Sequence, residues 1–74
     1  MKVIEALRYC HADWVVFVDL DKTGSEAFSK KMKVKNITWD RLRHIEWKNV
    51  SSICYWNDGC LCIRYKNNKA VYEQ

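Results

Sequence analysis

Asn57-Asp58-Gly59 separates two β-favouring runs, Ile53-Cys54-Tyr55-Trp56 and Cys60-Leu61-Cys62-Ile63-Arg64-Tyr65. Asn and Asp suit a type I turn, and Gly supplies positive φ without steric cost. A hairpin follows. With a three-residue loop, Trp56 faces Cys60 and Cys54 faces Cys62. One face then carries Ile53, Tyr55, Leu61, Ile63 and Tyr65. The other carries Ser52, Cys54, Trp56, Cys60, Cys62 and Arg64. A two-residue loop at Asp58-Gly59 would move Cys54 and Trp56 to the Leu61 face, because a one-place slip inverts every side chain. The three-residue loop is the better fit. It leaves one question: whether the Cys54/Trp56/Cys60/Cys62 face is core or contact surface.

Trp14-Val15-Val16-Phe17-Val18 is the strongest β run, apolar on both faces and therefore a central strand. Lys2–Cys10 is ambiguous. Val3, Leu7 and Cys10 fit a helical stripe, whereas Val3, Leu7 and Tyr9 fit one face of a strand. A strand is preferred because Trp14–Val18 needs a partner, with His11-Ala12-Asp13 as the turn. Ser25–Lys33 is expected to be a short helix, capped by Ser25 or Thr23 and buried along Phe28 and Met32. Thr38–Trp47 is expected to be a second, capped by Thr38, with Trp39, Leu42 and Ile45 as its stripe, although alternation also places Arg43, Ile45 and Trp47 on one face of a strand. Strands Val50–Trp56 and Cys60–Tyr65, a turn at Lys66-Asn67-Asn68-Lys69 and a strand at Ala70–Tyr72 complete the order. The expected fold is α+β in one domain over residues 1–74. It is a single-layer antiparallel sheet of about five strands, in ββααβββ order, with one or two short helices on one face.

Seventy-four residues bury only about 60% of the surface of the unfolded chain, so every apolar group counts. Four tryptophans, each with on the order of 200 Å² to bury, are a large contribution. Apolar runs are too short to span a membrane, and Glu5 and Arg8 interrupt any leader-like segment. The expected location is cytoplasmic, with reduced thiols. The glycosylation patterns at Asn36-Ile37-Thr38 and Asn49-Val50-Ser51 matter only after export. Thirteen basic residues against nine acidic give +4, with Lys30, Lys31, Lys33 and Lys35 clustered. That excess is compatible with nucleic acid or an acidic protein as partner.

Chemistry has few candidates. Asp19-Leu20-Asp21-Lys22-Thr23-Gly24 follows an apolar strand and resembles the D-x-D-x-T motif of haloacid dehalogenase-type phosphatases. The resemblance covers six residues and implies Asp19 as nucleophile and Asp21 as acid/base. That family also needs a five-strand parallel sheet, a distant Lys and a further acidic pair, more than this chain supplies, and Lys22 stands where Gly is usual. As a calcium loop the stretch fails at its twelfth position, where Lys30 replaces the bidentate Glu. Asp19 and Asp21 are better read as strand-end and turn residues. Cys10, His11, Cys54, Cys60 and Cys62 lack paired zinc-ligand spacing. Cys60 and Cys62 on a straight strand stand about 6–7 Å apart without converging. They are read as buried structural thiols. No catalytic, cofactor or metal residue is assigned.

Surfaces remain. The favoured function is a non-enzymatic protein-binding module, such as an inhibitor or adaptor of the kind encoded by phages and mobile elements, acting on a host protein complex. Its expected contacts are Trp56, Arg64, Lys30, Lys31, Lys33, Lys35, Arg41 and Arg43. The alternative is nucleic-acid binding through Lys30–Lys35 and an aromatic sheet face. A small phosphoryl-chemistry enzyme using Asp19 and Asp21 ranks third. A homo-oligomer that buries an apolar sheet face against its own copy is also expected.

Overall fold

The computed structural model describes residues 1–66, with the side chains of Trp39 and Arg41 left aside. The elements in chain order are α1 (Val3–Tyr9), β1 (Trp14–Asp19), β2 (Met32–Lys33), α2 (Trp39–Leu42), β3 (Asn49–Tyr55) and β4 (Leu61–Lys66). Single 3₁₀ turns cover Gly24–Ala27 and Val34–Asn36. The strands form one sheet in the order β2-β1-β4-β3. The arrangement is α+β, and the described sheet has four strands. The expected strand at Ala70–Tyr72 and the turn before it lie outside the described residues, apart from Lys66 at the end of β4.

The sheet is mixed. β1 runs parallel to β4, with Val15 opposite Leu61 and Phe17 opposite Ile63, while β2 and β3 are antiparallel to their neighbours. This corrects the expected antiparallel sheet and the ββααβββ order. β1 does lie in the interior of the sheet, as its two apolar faces require.

The first segment is the helix α1, against the preference for a strand. Val3 and Ala6 are fully buried, and Ile4, Leu7 and Cys10 pack around them. The Glu5 carboxylate accepts the Lys2 backbone N–H at 2.8 Å, half of a capping box. The Val3 and Ile4 N–H groups, orphaned at a helix start, donate to the carbonyls of Lys48 and Glu46 at 3.0 Å each. The partner expected of this segment is supplied to β1 by β4 instead.

The second helix is shorter than expected. Only Trp39–Leu42 is helical. The chain then turns, with Ile45 and Glu46 N–H groups both donating to the Leu42 carbonyl. Leu42 is buried and Ile45 packs against it, so part of the expected stripe survives without the expected length.

The expected helix Ser25–Lys33 is replaced by the 3₁₀ turn and an extended run. Ser29 sets this conformation. Its N–H donates to the Phe17 carbonyl and its Oγ accepts the Phe17 N–H, both at 2.9 Å. The edge of β1 has backbone groups to satisfy, and this segment satisfies them in place of its own helical bonds. Phe28 is left half exposed.

The main core lies on one face of the sheet. Val15, Phe17, Leu61, Ile63 and Tyr65 meet Val3, Ala6 and Leu42 there. A smaller cluster, Val16, Val18, Cys60 and Cys62, occupies the opposite face under Ala27, with Cys54 at its margin.

Candidate functional site

The hairpin folds in the three-residue register. Trp56 N–H donates to the Cys60 carbonyl at 2.9 Å, and Cys54 stands opposite Cys62. Gly59 takes φ +84. Asp58 Oδ1 accepts the Cys60 N–H at 3.0 Å, which fixes the carboxylate beside the strand entrance. Cys60 and Cys62 are buried, Cys54 is half-buried, and Trp56 retains 39% of its surface. The question about this face has a divided answer: the thiols are core and the tryptophan is surface.

Alternation along β1 puts Trp14 on the same face as Val16 and Val18. Trp14 is 36% exposed, and the ammonium groups of Lys31 and Lys33 lie 5.3 Å and 5.4 Å from its ring centre. Such distances allow cation–π attraction. Lys31 is also bound to Asp58 Oδ2 at 2.7 Å. The hydrogen bond between them raises the Lys31 pKa and, with the Cys60 backbone N–H, lowers that of Asp58. Lys33 has no carboxylate partner among the described residues. The result is an aromatic and basic patch at the hairpin end of the sheet: Trp14, Lys31, Lys33, Trp56. Beside it, Ala12, Asp13, Trp14, Lys33, Val34 and Lys35 line an open groove of about 470 Å³.

The other expected contacts do not all gather there. Arg64 is exposed on the same face, opposite Val18 and Ser52. Lys30 and Lys35 are exposed at either end of the Lys31–Lys33 stretch. Arg43 follows α2, on the layer that covers the main core, and pairs with Asp40 at 3.7 Å. The Arg41 side chain lies outside what is described. Sequence reasoning missed Trp14. Its signal was the two-residue spacing of Lys31 and Lys33, which in extended chain puts both on one side.

The buried thiols are poor nucleophiles. Burial pushes the Cys60 thiol up, with nearby Lys31 opposing. Burial also raises Cys62, helped by the neighbouring Cys54 and offset by Arg64. A reactive cysteine needs the opposite shift. Asp19 Oδ1 accepts the Asp21 N–H at 3.0 Å, a turn-forming contact. Asp19 also lines a cavity of about 390 Å³ with Lys22, His44 and Tyr65. Among the described residues no three His, Cys, Asp or Glu side chains gather to hold a metal. No described helix is long and apolar enough to cross a membrane.

The chain matches no protein-family model, no curated protein and no solved structure.

Proposed function

We propose that this chain is a small protein-binding module whose hairpin-end patch docks on an acidic surface of a partner protein. The observation that carries the reading is Trp14 with two lysine ammoniums gathered on its ring, one of them without a carboxylate. Partly exposed Trp is a favoured interface hot spot, and the lysines around it supply the positive rim that steers an acidic partner and fixes its register. Trp56 extends the apolar area and Arg64 the positive rim. The net charge of +4 favours an acidic partner through steering as well as contact. The proposed role is that of an inhibitor or adaptor acting on a host protein complex.

Nucleic acid is the second reading, favoured by the exposure of Lys30, Lys33 and Lys35. It ranks lower because the Trp14 ring already carries two ammoniums, where a base would have to stack. Phosphoryl chemistry ranks third, because one Asp19 oxygen is already engaged by its own turn.

The test is affinity capture from the native cellular background, with and without nuclease. Wild type is compared with Lys33→Glu and Trp56→Ala. A protein partner retained after nuclease and lost from both variants supports the proposal. Enrichment that disappears with nuclease moves the assignment to nucleic acid.

A further inference from the structure

We infer that the outer edge of β3 pairs with β3 of a second copy, in antiparallel register about Cys54. This inference does not rest on the docking patch. Hydrogen-bonded and non-hydrogen-bonded pairs alternate along an antiparallel ladder. The bond from Trp56 N–H to Cys60 turns the main-chain groups of Trp56, Cys54 and Ser52 toward β4. Those of Ile53 and Tyr55 therefore point to the outer edge. On the far side of β4, Leu20 N–H donates to the Tyr65 carbonyl, as the same alternation requires.

The far end of this edge is covered. Val50 N–H donates to the Met1 carbonyl at 2.8 Å, and Lys2 bridges to Asn49. The irregularity between Val50 and Ser52 lies at that covered end. Among the described residues, nothing pairs with the outward groups of Ile53 and Tyr55. Exposed edges are normally blunted by lysine, proline or an inward charge. Asn49–Tyr55 reads NVSSICY, with no charge and no proline.

The geometry selects a second copy and a register. Setting Cys54 against Cys54 of the second copy places Ile53 opposite Tyr55 of that copy, and the reverse. The outward groups of both residues then meet each other. A shift by two places in either direction leaves one of them without a mate. The same register lays Tyr55, 55% exposed, against half-buried Ile53. It also sets Trp56 over Ser52 of the second copy. The contact is isologous and closes after two chains.

Pairing confined to residues 52–56 makes a small interface, in the size class of weak, transient contacts. Because both copies are positive, added salt strengthens it, whereas docking on an acidic partner weakens with salt. Sedimentation equilibrium with amide hydrogen exchange tests the inference on the full chain. The expected result is a monomer–dimer equilibrium in which the Ile53 and Tyr55 amides gain protection with concentration and the Cys54 amide does not change. Tyr55→Lys, which keeps an exposed side chain and adds edge charge, lowers dimer affinity at least tenfold. Tyr9→Lys, on an exposed site of α1, leaves it unaltered. A monomer at millimolar concentration overturns the inference. So does protection of Ile53 and Tyr55 that is the same at all concentrations, or a Tyr55→Lys dimer as tight as wild type.

Discussion

Lys31 reaches the Asp58 carboxylate at 2.7 Å across a separation of 27 residues, tying the segment before β2 to the loop between β3 and β4. The link has a defined pH behaviour. Asp58 titrates below the ordinary carboxylate value and Lys31 above the ordinary ammonium value. A lowered acid contributes stability above its unfolded pKa and loses it as pH falls through its folded one. A raised base contributes below its unfolded pKa and loses it as pH rises through its folded one. The pair is therefore fully effective between the ordinary Asp and Lys values, about 4 and 10. Carboxyl NMR titration of Asp58 should give a midpoint below the normal range. Lys31→Ala should move it up only partway, because the Cys60 N–H still bonds the carboxylate. A full return to the normal value would mean that this backbone contact contributes nothing.

Gly59 isolates backbone strain from packing. Its φ is +84, and an added Cβ would meet nothing within 4 Å. Gly59→Ala should therefore destabilise by roughly 1–2 kcal/mol through the left-handed conformation alone. A D-alanine at the same position should stabilise by about 0.4–1 kcal/mol, since it accepts that φ and narrows the unfolded ensemble. Urea midpoints of the two synthetic variants check the sign of each change.

Leu61 and Leu20 form a contrasting pair. Leu61 is fully buried in the main core, at the junction of β4 with β1 and β3, whereas Leu20 keeps 39% of its surface in the turn after β1. Leu61→Ala should cost about 2–5 kcal/mol. A chain of this length holds roughly 4–11 kcal/mol in total, so the variant should be partly unfolded at body temperature. Leu20→Ala should stay within about 0.5 kcal/mol of wild type. Thermal melts of the three proteins test the ranking, and equal midpoints for the two variants would contradict the core assignment.

The features legible in the sequence were those set by neighbours in the chain. The Asn57-Asp58-Gly59 loop carried its own turn chemistry, so the Cys54–Cys62 pairing could be read in advance. Two apolar faces on Trp14–Val18 similarly placed β1 inside the sheet. Features settled by distant partners were hidden. Val3 and Leu7 fit a helical stripe with Cys10 and equally a strand face with Tyr9, and the Glu46 and Lys48 carbonyls at the helix start decide between them. Residues 28–33 look helical until Phe17 takes both groups of Ser29. The parallel pairing of β1 with β4 has no local signature at all. The candidate patch was half visible: Lys31, Lys33 and Trp56 stood out, but the ring that gathers the lysines belongs to Trp14.

Cys60 and Cys62 test whether the smaller cluster is sealed. Cys60 is 0% exposed and Cys62 1%, under Ala27 and against Val16 and Val18, and neither is in a disulfide. Their thiols are raised by burial, which lowers the thiolate fraction at any given pH. A thiol reagent at pH 8 should modify half-buried Cys10 and Cys54 first, with Cys60 and Cys62 following at a rate set by opening of the fold. Denaturant should accelerate only the slow pair. Cys62→Ala should cost about 1 kcal/mol for the small void. Cys62→Ser should cost about 1–3 kcal/mol, because a hydroxyl in this cluster loses its water. If serine and alanine were equivalent and all thiols reacted together, the face beneath Ala27 would be open to solvent. The apolar contribution of that face to the stability of the sheet would then have to come from contact with another molecule.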